Sequence, residues 1–131
     1  MTLNISSDLI EALRNEANKT HPEECCGIIF GEEGALRLVI PAKNTHPTPE
    51  THFEIDPATL IAAHKSERTG GLKIIGYYHS HPKGPAKPSK TDQASASGDG
   101  RIWAIIGQDE IRLWRDEPDG FEPLSYEMVD G

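Results

Sequence analysis

The sequence predicts a single mixed α/β (α+β) domain over residues 1–131, with a central mixed β-sheet flanked by helices. Three observations carry that prediction. Segments with helical apolar spacing alternate with short apolar runs, a pattern that neither an all-α nor an all-β architecture accommodates. The run "LKIIGYYHSH" is almost continuously apolar up to its histidines, as expected of a strand covered on both faces. Finally, 131 residues is the size of one domain, and no linker, repeat or low-complexity segment divides them.

The elements follow in order. Leu9, Ile10, Leu13 and Ala17 recur at helical spacing; Asp8 and Glu11 resemble a capping-box start, and His21-Pro22 is the stop. "ECCGIIFG" reads as a buried strand closed by Gly31, and "ALRLVIPAKN" as a second strand alternating over Leu36, Leu38 and Ile40. "THPTPETHFEI" is a loop followed by a brief strand. Asp56 and Pro57 supply the N-cap and first turn of a helix that ends near Gly70-Gly71. "LKIIGYYHSH" is then the central strand and "SKTDQASAS" a short helix. "RIWAIIGQ", "EIRLWRDE" and "FEPLSYEMV" are closing strands joined by tight turns.

Thirteen basic against 21 acidic residues give a net charge of −8, which disfavours a nucleic-acid partner. No apolar run reaches membrane-spanning length and the N-terminus lacks a signal-peptide pattern, so no membrane association and a cytoplasmic location are expected. Cys25 and Cys26 are adjacent, a poor geometry for an ordinary disulfide, and read as small buried hydrophobes of a reducing compartment.

The chemistry concentrates at the end of the central strand. His79 and His81, at i and i+2, point to one face and Ser80 to the other. Pro82 stops the ladder, and Pro85 and Pro88 stiffen the loop that follows. Ser89 is a good N-cap, and Asp92 lies one turn into the next helix on the same face. Two imidazoles and one carboxylate, with a fourth position left to water, are the donor set of a catalytic zinc site. Taken singly, each residue has a plainer account as a surface histidine or a helix-dipole aspartate. The fixed spacing of all of them favours the metal.

Other centres fit less well. A non-haem iron oxidoreductase uses the same triad, but cupin-like patterns place an acidic residue soon after H-x-H, and none stands between His81 and Asp92. His52-Phe53-Glu54 is an H-x-E without the P-C-x-x-C of zinc deaminases, so His52 and Glu54 read as a surface strand. His21, His46 and His64 read as solvated residues.

The pattern His79-x-His81-Pro82, six residues, Ser89, two residues, Asp92 resembles the JAMM motif of the JAB1/MPN/Mov34 metallopeptidases. That family carries an upstream glutamate before a short apolar run with glycines. "PEECCGIIFG" matches it, and alignment on Gly27 and Gly31 selects Glu24. The neighbouring Glu23 would face the opposite way. The resemblance covers essentially the whole chain and implies an MPN/JAB-like (cytidine-deaminase-like) fold. It also implies one Zn2+ held by His79, His81 and Asp92, with Glu24 as general base and Ser89 as hydrogen-bond donor to the oxyanion. Zinc lowers the pKa of bound water from about 15.7 to roughly 7, or about 12 kcal/mol in favour of hydroxide. Ser89 has a competing structural role, since a hydroxyl used as an N-cap is less free for catalysis.

The implied reaction is hydrolysis of a peptide or isopeptide bond after the C-terminal Gly-Gly of a ubiquitin-like protein. The chain is similar to compact prokaryotic members, some of which act on sulfur-carrier proteins. Such a tail would bind as an added strand at a sheet edge, with "THFEIDP" and the loop after His81 as candidates. The alternative is a non-catalytic MPN-type interaction scaffold, against which stands the retention of every metal-site position.

Overall fold

In the computed structural model, which describes residues 2–131, the chain runs β1 (Thr2–Ser6), α1 (Ser7–Thr20), β2 (Cys26–Glu32), β3 (Ala35–Ala42), α2 (Pro57–Arg68), β4 (Lys73–Ser80), α3 (Lys90–Ser95), β5 (Ile102–Ile106), β6 (Ile111–Glu117) and β7 (Gly120–Val129). The sheet is mixed, in the order β1-β3-β2-β4-β5-β6-β7. As expected, β4 is central, antiparallel to β2 and parallel to β5. The sheet also closes on itself, because β1 pairs parallel with both β3 and β7.

That closing strand has no counterpart among the sequence expectations, which start the chain with a helix. Only Leu3 and Ile5 of β1 are buried, and two apolar positions are too few to display a period of two. The strand runs directly into α1. There Ser6, not Asp8, is the N-cap: its Oγ accepts a hydrogen bond from Leu9 N at 3.1 Å. Asp8 lies in the first turn, where its charge complements the helix dipole.

Two apolar clusters lie on opposite faces of β2 and β4. Leu9, Ile10 and Leu13 of α1 pack with Leu3, Ile5, Ile29 and Tyr78. Ala63 and Leu60 of α2 pack with Ile28, Phe30 and Ile74. Covered on both sides, β2 and β4 can be apolar at almost every position. The close approach of strands also dictates a glycine, because a Cβ on Gly27 would lie 2.4 Å from the Tyr78 ring.

The alternation in β3 differs from the expected one. Gly31 pairs with Leu36 and Phe30 with Leu38, so Arg37 is an extra residue opposite no partner. This bulge reverses the parity of the strand. Leu36 points inward and Val39 packs against the same cluster, while Leu38 and Ile40 are exposed. The brief strand expected before α2 reduces to one bridge, Asn44 to Ile55. Pro57 opens α2 as expected, and Gly70 (φ +96°) follows its end. Asp56 makes no side-chain bond to the backbone there; its Oδ2 accepts instead from Thr59 Oγ1 at 3.2 Å. No helix among the described residues is long and apolar enough to cross a membrane.

Candidate metal centre

His79 is the penultimate residue of β4 and is fully buried, with its backbone paired to Cys26 on one side and Ile105 on the other. His81 follows the strand, and its N–H donates to Ile106 O at 2.8 Å, extending the parallel ladder by one bond. The two rings therefore share a face, with Nε2 atoms 3.0 Å apart. Asp92 Oδ2 lies 3.1 Å from each of them. One ligand atom from each of the three residues falls within 4.8 Å of the others.

The carboxylate is delivered by the start of α3. Ser89 and Asp92 form a complete capping box: Ser89 Oγ accepts from Asp92 N at 3.0 Å, and Ser89 N donates to Asp92 Oδ2 at 2.9 Å. The cap role expected of Ser89 is thus present. As a cap the hydroxyl accepts, so its own O–H remains available to donate, and Ser89 is exposed. The intervening loop is fastened at Ala86, whose carbonyl accepts from Trp114 Nε1 at 3.1 Å.

The donor set suits a cation. His81 Nδ1 lies 2.9 Å from Pro85 O, a contact in which only the ring can donate. Its proton thus sits on Nδ1, and the Nε2 lone pair faces the site. Tetrahedral zinc with bonds of about 2.0–2.1 Å spaces its ligands about 3.3–3.4 Å apart. The observed triangle differs from that by a few tenths of an ångström.

Charge and burial act differently on each group. Burial lowers the His79 pKa, because an imidazolium is poorly solvated among apolar rings. Phe53 stacks on His79 at 4.2 Å between centroids and Trp103 meets it edge-on at 5.7 Å. At His81 burial also lowers the pKa, but hydrogen bonds to Asp92 and Pro85 and the charges of Asp92 and Glu24 outweigh it, and the net shift is upward. Burial raises Asp92, yet hydrogen bonds from both histidines dominate and hold it far below the ordinary carboxylate range. Glu24 goes the other way, to about 7: burial raises it most, the His81 charge opposes, and the Asp92 charge adds to the rise.

Glu24 is buried and Glu23 is exposed. Glu24 precedes β2 and lacks ladder partners. Its N–H donates to Pro49 O at 2.8 Å, and its carbonyl accepts from Asn44 Nδ2 at 3.1 Å. The next amide, Cys25 N, donates to Ser80 Oγ at 2.8 Å, while Ser80 N returns a bond to Cys25 O at 3.1 Å. Ser80, pointing away from the two histidines as expected, thus fixes the Glu24 segment to the histidine strand. Cys25 and Cys26 are buried free thiols whose pKa values burial pushes up to about 12, so they are unreactive packing residues.

Two cavities meet at Glu24, Thr51 and Thr91. One, of about 340 Å³, is lined by Phe53, Leu60, Tyr77, Trp103 and Asp92. The other, of about 370 Å³, is lined by His81, Lys83, Pro85, Lys87 and Ser89. His52, expected on a surface strand, instead lines the first cavity and stacks on His46 at 4.6 Å. Phe53, Asn44 and Ser80 are site-building residues that sequence reasoning does not single out. Among the described residues, the backbone N–H and C=O of Phe53 have no partner, whereas those of its neighbours do.

A mixed α+β fold with two imidazoles and a carboxylate at the end of its central strand, beside a buried glutamate, defines a candidate mononuclear metal centre. Comparison with known proteins makes the assignment specific: residues 6–117 match the model for prokaryotic homologs of the JAB domain, and the chain belongs to that family. It is 37% identical over 115 residues to a probable TtuB-protein conjugate cleaving protease of Thermus thermophilus, covering 87% of this chain and 76% of that one. It is 30% identical over 129 residues to a CysO-cysteine peptidase of Mycobacterium tuberculosis, covering 97% and 83%. Among solved structures, protein DSY2949 of Desulfitobacterium hafniense superposes with a TM-score of 0.86 at 25% identity, covering 99% and 94%. The structure described as a JAMM metalloprotease-like zinc site in the proteasome and signalosome shares the fold at TM-score 0.63 and 18% identity, covering 99% and 100%.

Proposed function

We propose that this chain is a zinc-dependent hydrolase that cleaves the peptide or isopeptide bond after the Gly-Gly tail of a ubiquitin-like or sulfur-carrier protein. The observation that carries the reading is the convergence of His79 Nε2, His81 Nε2 and Asp92 Oδ2 at 3.0–3.1 Å, with buried Glu24 beside them. The names of two relatives, a probable TtuB-protein conjugate cleaving protease and a CysO-cysteine peptidase, support a protein-conjugate substrate.

His79, His81 and Asp92 would hold the zinc. When bound, zinc supplies a water of pKa about 7 and polarises the scissile carbonyl. Glu24, itself titrating near 7, takes the water proton as the carbonyl is attacked and returns it to the leaving amine. The free O–H of exposed Ser89 donates to the developing oxyanion. The unpaired N–H and C=O of Phe53 give an extended Gly-Gly backbone two hydrogen bonds in the manner of an added strand. Closure of the sheet by β1 removes its ordinary edges, which leaves "THFEIDP" the better placed of the two expected docking segments.

The test is a carrier protein fused through its Gly-Gly tail to a reporter. Zinc-loaded protein releases the reporter, chelator stops release, and re-addition of zinc restores it. Cleavage that ignores chelator, or none with full zinc, sinks the reading.

A further inference from the structure

Asn44 lies in the chain leaving β3 and belongs to no regular element, yet its side-chain amide is fully hydrogen-bonded. Nδ2 donates to His52 O at 2.9 Å and to Glu24 O at 3.1 Å, with Pro49 O at 3.5 Å as a weaker third contact. Oδ1 accepts from Glu54 N at 3.1 Å and from His46 N at 3.1 Å. Both donors and both lone pairs of the amide are used.

The pattern has a specific geometry. Donating to the carbonyl of one residue and accepting from the amide two positions later is how a neighbouring strand pairs with an extended segment. Asn44 does this to His52 and Glu54, the residues on either side of Phe53. In extended backbone, alternate residues turn their peptide groups to opposite sides. The Phe53 N–H and C=O are therefore turned away from Asn44 and left unpaired, while the Phe53 ring lies on His79. The second Nδ2 bond reaches the carbonyl of Glu24, which precedes β2 and lines the same cavity as Phe53.

We infer that Asn44 is the positioning residue of this centre, a one-residue substitute for a strand that holds Glu24 and the Phe53 segment in register and leaves the Phe53 peptide groups free for an extended substrate backbone. The substrate part of this inference rests on the function proposed above; the positioning part does not. No bond to a metal or to the reacting atoms is involved, so Asn44 acts through Glu24 and Phe53.

The experiment combines amide hydrogen exchange with kinetics. In the zinc-loaded wild-type protein, the Glu54 and His46 amides exchange slowly and the Phe53 amide quickly; an excess of a Gly-Gly-ended peptide slows Phe53. In Asn44→Ala the Glu54 and His46 amides lose protection. Asn44→Asp sets a carboxylate oxygen against the His52 and Glu24 carbonyls in place of two donors, so the Glu24 carbonyl loses its partner and the Glu54 and His46 amides lose part of their protection. Both variants bind zinc stoichiometrically, and kcat/KM falls by about tenfold to a hundredfold, the range for removing a supporting partner of a site residue. In Asn44→Ala both KM and kcat change; in Asn44→Asp the acid limb of the kcat/KM profile moves because Glu24 has lost its anchor. A fast-exchanging Glu54 amide in the wild type overturns the inference without any variant. So does a zinc-replete Asn44→Ala protein that cleaves within twofold of wild type. A wild-type protein that cleaves no tailed substrate refutes the proposed function, and the exchange pattern then decides the positioning role alone.

Discussion

His79, His81 and Asp92 hang from regular elements, whereas Glu24 and Phe53 stand on irregular backbone. The histidines are placed by the ladders on both sides of β4, and Asp92 by the capping box of α3. On the opposite wall, Glu24 lies before the first rung of β2, and the segment from Thr45 to Glu54 has one bridge at its base. Single side chains replace ladders there: Asn44 for the loop, Ser80 for the Cys25 amide. The metal side is thus fixed by repeated backbone bonds, each backed by its neighbours. The Glu24 side depends on a few bonds that nothing duplicates.

The sharpest way to separate the two walls is a pair of variants. His79→Ala removes one of the three proposed ligands from the ladder-held wall, and both zinc content and turnover are expected to fall to background. Glu24→Gln leaves the three donors untouched, so zinc stays stoichiometric while kcat drops by about 10²–10⁴-fold, the usual worth of a positioned general base. Metal analysis beside turnover reads both. If Glu24→Gln turned over normally, its assignment as base would be wrong.

Ser89 belongs to the ladder-held wall by its cap, and the proposed function gives its O–H a part in the chemistry. Ser89→Ala is expected to lower kcat by about 10²–10³-fold, the range for loss of one oxyanion donor. It also removes the cap, at a cost of about 1 kcal/mol in stability. Ser89→Thr keeps cap and hydroxyl and recovers most of both. A variant that loses stability but keeps kcat would reduce Ser89 to a cap.

Proton competition weighs on the metal wall next. Zinc binds neutral imidazole, and the His81 pKa is raised, so below that value a proton must leave before the metal enters. Affinity therefore falls with falling pH, by about tenfold per unit for each proton displaced. Zinc titrations between about pH 5 and about pH 8 give the slope. His79 is shifted the other way by burial, so it contributes less to that slope than His81. An affinity flat with pH contradicts the charge pattern described for the triad.

What the sequence made legible follows the same division. The histidines, proline, serine and aspartate lie on a strand end and a helix start, elements whose periodicity and caps can be read from residue types alone. The same holds for the strands of the closed sheet, apart from β1, whose two buried residues Leu3 and Ile5 are too few to show a pattern. The reversed parity of β3 depends on one extra residue, Arg37, that no composition marks. Asn44 and Phe53 escaped for a deeper reason. Their roles rest on contacts between a loop and residues far away in the chain, and an asparagine after a strand ordinarily signals no more than a turn.

Ser80 gives the smallest expected effect and the cleanest test of how the walls are joined. Its Oγ is the acceptor for the buried Cys25 amide at 2.8 Å, so Ser80→Ala leaves that N–H without a partner. The expected loss is about 1–3 kcal/mol, the cost of an unsatisfied buried donor, seen as a lower denaturation midpoint at unchanged m-value. Ser80→Thr keeps the hydroxyl and recovers the loss where its extra methyl is accommodated. Because Ser80 points away from His79 and His81, zinc stoichiometry is expected to stay intact in both variants. If zinc were lost with Ser80→Ala, the two walls would not be independent: the ladder of β4 would be leaning on the Glu24 segment rather than carrying it.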